Sequence, residues 1–254
     1  MSEEKWQTRI TAIGPGRIRV RGYDIAELMD KLSFAQTIYL ILRGELPDPK
    51  QARMMEAILV SSIDHGASPP SVLGTRTIVS GGNPLNAAVA GGVLVIGDSH
   101  GGAIEQSARI LQEWAGKEGN PSQVAAALVA DLQAAQKRMP GYGHRLHTTD
   151  PRTVKLFEIA AKLDFSGRHT ELAKAVEAEF ERTGGKKLPI NVDGAIAAVI
   201  SDMGFDWRLG KGFFIISRVP GLVAHAYEEM TTQKPMRQLG NTHHEYTGPP
   251  DRSI

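Results

Sequence analysis

The feature that most restricts the fold is a repeated helix-start signal. Four times an Asp or Asn is followed directly by proline: Asp48-Pro49, Asn83-Pro84, Asn120-Pro121 and Asp150-Pro151. The side-chain oxygen of the first residue accepts from the unbonded N–H groups of a helical first turn. The proline at the next position has no N–H to leave unbonded. Ser33 with Gln36 forms a capping box before the run "TIYLILR", and Gly44 supplies the stop. Ile25, Leu28, Met29 and Leu32 recur at the spacing of one helix face. Gly81-Gly82, Gly91-Gly92, Gly101-Gly102 and Gly184-Gly185 punctuate further segments. The pattern predicts about ten helices. The exception lies near the N-terminus. There Ile10, Ile13, Ile18 and Val20 are split by Gly14-Pro15-Gly16, and "RIRVR" alternates with period two, which predicts a β-hairpin. A loose polar tail is expected from about Gln238.

With 254 residues the chain can bury a substantial core. A net charge of +1 gives no overall field for nucleic acid or an anionic membrane. Anionic ligands must be held by local arginines and lysines. There is no cysteine, which excludes disulfides, thiolate nucleophiles and cysteine-ligated zinc. The opening "MSEEKWQTRI" is polar, and no apolar run approaches the ~18 residues of a membrane span. A soluble, cytoplasmic protein is expected.

Two motifs point in other directions. "GGVLVIGDSHGGA" carries Gly97-x-Ser99-x-Gly101, the spacing of a hydrolase nucleophile elbow. An elbow needs a preceding strand in a parallel sheet, and Val93 to Ile96 instead continue the helical face of Leu85, Ala88 and Val89. His144-x-x-His147, with Asp64-His65 and His243-His244, offers metal-ligand types. A histidine pair that binds metal wants a helix face or rigid strand, which a glycine loop does not supply. No metal is expected.

Three short stretches set an ionisable side chain where an element begins or ends: His100 in "GDSHGGA", His144 in "GYGHR" and Asp193 in "LPINVDG". Each has an ordinary reading. Asp193 would be a plain helix cap, His100 a cap or a hydrogen-bonded buried histidine, and His144 a solvent loop residue. Together, two imidazoles and a carboxylate make a general acid–base set, with Arg152 and Arg218 available to grip carboxylates.

These blocks resemble the citrate synthase superfamily. "IRVRGYDIAELMDKLSFAQTIYLILRGELP", "DHGASPPSVLGTRTIVSGG", "SHGGA", "GYGHR" with "TDPR", "NVDG" and "SRVPGLVAHAYEE" follow one another in the family's order. The resemblance implies an all-α, citrate synthase-like fold with the short N-terminal β-hairpin. It implies a large domain of residues 1–101 and 211–254, a small domain of 102–210, and a homodimer or higher homo-oligomer. It places His100, His144 and Asp193 on the catalytic triad. His65, Arg152, Arg218 and Arg237 fall on carboxylate-binding positions, Arg237 reaching across the dimer interface. Pro140, Gly141, Tyr142, Gly143, Arg145, Lys186 and Lys187 fall on positions that contact coenzyme A, with the glycines admitting it to the backbone. Coenzyme A would be part of substrate and product, with no separate cofactor. "NVDGAI" and "GDSH" tilt the resemblance towards a free-standing citryl-CoA lyase, related to the C-terminal module of ATP-citrate lyase. A small citrate or 2-methylcitrate synthase and a non-catalytic acyl-CoA-binding subunit are the alternatives.

Overall fold

Three of the four Asp/Asn-Pro pairs begin helices as the sequence predicts. The computed structural model describes residues 6–143, 150–184, 188–239 and 245–253. Asp48 caps α3 (Pro49–Ser61) and Asn120 caps α7 (Pro121–Ala134), each in a reciprocal capping box, and Asp150 caps α8 (Pro151–Lys162). The Ser33–Gln36 box opens α2 (Phe34–Arg43), which Gly44 ends in the left-handed conformation at φ 88°. Asn83 departs from the pattern. Its amide donates to the Ile78 carbonyl at 3.1 Å, closing the end of α4 (Pro70–Ser80), and Pro84 itself stands at the cap position of α5 (Leu85–Leu94). Backbone and side chain of Asn83 thus both donate to the Ile78 carbonyl behind them, and the side chain does not cap the helix ahead.

The hairpin gains a third strand. β1 (Thr11–Gly14), β2 (Arg17–Val20) and β3 (Tyr23–Asp24) form an antiparallel sheet in that order, with Ile13 opposite Ile18. Arg21 and Gly22 make the second turn, both at positive φ (51° and 91°). Arginine tolerates this strain because its guanidinium donates to the Ile41 carbonyl at 2.6 and 3.0 Å. Asp24 then caps α1 (Ile25–Lys31). The apolar face of α1 is narrower than its spacing suggests. Leu28 is buried with Val20 and Leu40, and Ile25 and Leu32 pack against them, whereas Met29 is 79% exposed.

The chain divides into two compact units. Unit 1 is Met1–Ile63 with Gly101–Ser217, and unit 2 is Asp64–His100 with Arg218–Ile254. The bounds drawn from the sequence grouped 1–101 with 211–254; the units group residues 1–63 with 101–217.

Unit 1 is built around α10 (Val192–Asp202). Gly194 to Ser201 are buried without interruption, so this helix is apolar all round and sits in the middle of its neighbours. It packs on α6 (Ala103–Ala115), α8 and α9 (Arg168–Gly184). Phe205 stands edge-on to Tyr39 and Phe213 at 5.4 and 5.0 Å. The start of α9 is capped from a distance. Asp202, the last residue of α10, accepts from the backbone N–H groups of Gly167, His169 and Thr170 at 2.9 to 3.0 Å, and pairs with His169 Nδ1 at 2.8 Å. Burial opposes the Asp202 charge, but these donors outweigh it and hold the carboxyl below the usual range.

Unit 2 contains α4, α5 and the later residues of α11 (Gly210–Thr232). Helices α4 and α5 approach at a distance only glycine permits. A Cβ on Gly91 would lie 2.0 Å from Ile78 Cδ1, and one on Gly92 would lie 2.0 Å from Thr75 Oγ1 and 2.9 Å from the Ser71 carbonyl. A buried ion network ties α4 to the chain after α11. Glu229, 2% exposed, receives Arg237 through two bonds of 2.5 and 2.6 Å and Arg76 at 3.2 Å, while Arg76 also reaches Glu228 at 2.9 Å.

Candidate active site

In unit 1 the glycine loop and the segment before α10 are laced together. Gly143 N–H donates to the Pro189 carbonyl at 2.7 Å, Asn191 N–H to the Gly141 carbonyl at 3.0 Å, and Tyr142 bridges Ile190 in antiparallel fashion. Gly141 sits at φ 80°, and a Cβ there would lie 2.6 Å from Gly194 Cα. Conversely, a Cβ on Gly194 would lie 2.4 Å from the Gly141 carbonyl oxygen. These glycines are thus explained first by two backbones crossing in contact. We expect Gly194→Ala to destabilise the protein by about 3 kcal/mol, the upper range of overpacking, because backbone has to move. Urea unfolding should register it as a lower midpoint.

Tyr142 points away from the loop surface. Its hydroxyl donates to the Ala173 carbonyl in α9 at 2.8 Å, and its ring meets Phe180 edge-on at 6.0 Å. Burial, then the nearby Glu177 charge, pushes the phenol well above its ordinary value. The side chain fastens the loop to α9.

Asp193 is not the cap of α10. That role belongs to Asn191, whose Oδ1 accepts from the Asp193 and Gly194 N–H groups at 3.0 and 3.2 Å. Asp193 therefore lies in the first helical turn, as the second residue of α10. The plain-cap reading fails because the helix already begins at Val192, one residue before Asp193, with Asn191 at the cap position. Arg152 is held by its neighbour. Its Nε and Nη2 donate to the two oxygens of Asp150 at 3.1 and 2.9 Å, and Asp150 Oδ2 also accepts from Val192 N–H at 3.2 Å. Burial works against the Asp150 charge, but Arg152 and then Val192 outweigh it, leaving the carboxyl below the usual range.

In unit 2 His100 ends a tight turn. Its N–H donates to the Gly97 carbonyl at 2.9 Å, after α5 rather than after a strand. The hydrolase-elbow reading of Ser99 fails on this geometry, since the strand it needs is a helix. His100 Nε2 lies 2.8 Å from Ser71 Oγ and 3.4 Å from Ser71 N, in the first turn of α4. A backbone N–H can only donate, so Nε2 accepts and the neutral ring carries its proton on Nδ1. Burial, then the charges of Arg218 and His65, holds the His100 pKa below the ordinary 6.5. Arg218 itself is 2% exposed. Asp64, beside His65, pairs with His225 Nε2 at 3.0 Å.

The pH consequence has a definite sign. An imidazole kept neutral in the folded state binds fewer protons than the unfolded chain just below pH 6.5. Stability should therefore fall as pH drops from 6.5 towards the folded midpoint. An NMR titration of the His100 ring should show a midpoint below that ordinary value; one at or above it contradicts this environment.

His65, His100 and Arg218 belong to unit 2, while Asp193, Arg152 and the loop Pro140 to Gly143 belong to unit 1. Arg237 is placed on Glu229 of its own chain. His144, Arg145, Lys186 and Lys187 lie outside the described residues, as do His147, His243 and His244. Sequence reasoning missed Ser71, Asn191, Glu229 and the second role of Asp150. Only Asn191 left a signal, as an alternative cap two residues before Asp193.

Comparison with solved structures gives the class. The chain has a citrate synthase-like helical fold, matching a citrate synthase from Pyrobaculum aerophilum at TM-score 0.60 and 19% identity over 99% of this chain and 92% of that one. It matches an ATP citrate lyase from Methanothrix soehngenii at TM-score 0.84 and 21% identity, over 98% of this chain and 43% of that one. The family model for the citrate synthase C-terminal domain matches residues 4–53 and 47–239, and the chain belongs to the citrate synthase family. It is similar to a citryl-CoA lyase from Hydrogenobacter thermophilus, at 51% identity and TM-score 0.91 over 98% of this chain and 97% of that one. Among curated relatives, citrate synthase 2 of Bacillus subtilis (strain 168) is 28% identical over 95% of this chain and 64% of its own length. The probable ATP-citrate synthase of Dictyostelium discoideum is 30% identical over 75% of this chain and 32% of its own. The chain thus spans less than two thirds of these curated relatives.

Proposed function

We propose that the protein is a citryl-CoA lyase, cleaving citryl-CoA to acetyl-CoA and oxaloacetate by a retro-Claisen reaction. The observation that carries this reading is the 51% identity to the Hydrogenobacter thermophilus citryl-CoA lyase across nearly the whole of both chains. In the proposed reaction His144 removes the proton of the tertiary alcohol as the carbon–carbon bond breaks. The bonding pair passes to the acetyl thioester as an enolate. His100, neutral and protonated at Nδ1, donates a hydrogen bond to the thioester oxygen, an arrangement supported by the Ser71 contacts at Nε2. Asp193, as its conjugate acid, returns a proton to carbon. His65, Arg152, Arg218 and Arg237 are assigned to substrate carboxylates. The loop Pro140 to Gly143, with Arg145, Lys186 and Lys187, is assigned to the coenzyme. Asp150 holds the Nε and Nη2 edge of Arg152 and so fixes the guanidinium, whose remaining N–H groups are assigned to the substrate.

The test is incubation with synthetic citryl-CoA, with the products resolved by mass. Acetyl-CoA and oxaloacetate in equal amounts are expected, and free citrate with coenzyme A overturns the reading. A small citrate synthase is the second reading, favoured by the names of the curated relatives. Given acetyl-CoA and oxaloacetate, a synthase releases free thiol steadily and a lyase does not.

No helix among the described residues is long and apolar enough to cross a membrane. A cytoplasmic homodimer is the accompanying proposal. The dimer is supported by α5, which is apolar except for Asn86 yet buries only Ala88 and Gly92, leaving Leu94 85% exposed. Light scattering should give twice the chain mass, and Leu94→Asp should move it towards one chain.

A further inference from the structure

Asn191 joins two pieces of chain that the proposed chemistry needs in register. Its Oδ1 accepts from Asp193 N–H at 3.0 Å and Gly194 N–H at 3.2 Å, which fixes the first turn of α10. Its Nδ2 donates to the Gly143 carbonyl at 2.9 Å, and its own N–H to the Gly141 carbonyl at 3.0 Å. One amide side chain thus uses its acceptor on the helix that carries Asp193 and its donor on the glycine loop. No other residue type of this size offers both a donor and an acceptor in one plane. Serine or aspartate, the common alternatives at a helix cap, would satisfy the helix equally well. A cap alone does not call for Asn; the bond to Gly143 does.

The surroundings leave this link little slack. The Gly141 and Gly194 backbones are in contact, so loop and helix start cannot move closer. The Gly143–Pro189 bond and the Tyr142–Ile190 bridge hold the loop alongside the residues just before Asn191. Behind that segment, Ile190 N–H donates to Glu177 in α9 at 2.9 Å, and Tyr142 donates to Ala173 in the same helix. The side chain of Asn191 ties the Gly143 carbonyl to the residue capping α10.

We infer that Asn191 is a positioning residue, setting the Gly141–Gly143 loop against the Asp193-bearing turn of α10. This rests on the functional reading above, in which the loop serves the coenzyme and Asp193 the reacting carbon. Misplacement of about an ångström between reacting groups costs on the order of a hundredfold in rate, so the link acts on the chemical step more than on binding.

The experiment compares the full-length unaltered protein with Asn191→Ser and Asn191→Asp. Both variants keep a capping oxygen for α10 and lose the amide Nδ2 that reaches the Gly143 carbonyl; the shorter serine hydroxyl is occupied at the cap. Three quantities are read: thermal midpoint, kcat and KM for citryl-CoA, and amide hydrogen exchange of peptides covering 139–143 and 192–202. Expected are thermal midpoints near that of the unaltered protein, and kcat lowered ten- to a hundredfold with KM changed less than threefold. Exchange should be faster in the loop peptide and unchanged in the α10 peptide. Normal kcat in either variant, or a rate loss that only follows the loss of folded protein, overturns the proposal. So does unchanged exchange in the loop. If the unaltered protein does not cleave citryl-CoA, the functional reading falls, and the exchange arm still decides whether Asn191 couples loop to helix.

Discussion

Asp193→Asn should lower citryl-CoA turnover by ~10²–10⁴-fold, the contribution of one general acid–base group. The structure makes the accompanying claim sharp. Because Asn191 and not Asp193 satisfies the open N–H groups of α10, neutralising Asp193 leaves the helix start intact. The loss of turnover should therefore far exceed any loss of folded protein seen in thermal unfolding. A variant that loses activity and stability together would return Asp193 to the role of a cap. A variant that unfolds normally and turns over at the ordinary rate would remove it from the chemistry. Steady-state kinetics beside a melting curve distinguishes these outcomes.

The largest effect on folding is expected from Glu229→Ala. Glu229 is buried and accepts from Arg76 and Arg237, and the Arg76 side chain is only 9% exposed. Removing one member of a buried pair strands the other charge, a cost of about 3–5 kcal/mol. Glu228 still reaches Arg76, which argues for the lower end of that range. Arg237 would also lose its anchor, so the segment after α11 should become the first site of protease cleavage. Glu229→Gln should show part of the loss, since it keeps the shape and gives up the charge. A denaturant titration that finds both variants as stable as the unaltered chain would contradict the network.

Much of the helical frame could be read from single residues, because a cap is a local device. As caps, Asp48, Asn120, Asp150, Ser33 and Gly44 each act within four positions of themselves, and each does what its chemistry predicts. Asn83 shows where that locality becomes ambiguous. An amide has a donor as well as an acceptor, and that of Asn83 joins its own backbone N–H on the Ile78 carbonyl. Arg21 at positive φ was not legible at all. Its turn depends on the Ile41 carbonyl, twenty residues away. The site follows the same division. His100 and Asp193 announce themselves as ionisable groups at element ends, whereas Ser71, Asn191 and Glu229 matter through partners elsewhere in the chain. The glycines of "GYG" were legible as special but for an incomplete reason. The contact between Gly141 and Gly194 joins positions that the sequence holds more than fifty residues apart.

The cap that Asp202 places on α9 carries a consequence for assembly order. Synthesis proceeds from the N-terminus, so α9 leaves the ribosome complete except for the carboxylate that closes its first turn, which follows 35 residues after Gly167. Until then the N–H groups of Gly167, His169 and Thr170 are answered only by water, and the helix can fray at that end. Closure of that first turn thus waits on residues made after α9, although the body of the helix can already pack on α7, which is made before it.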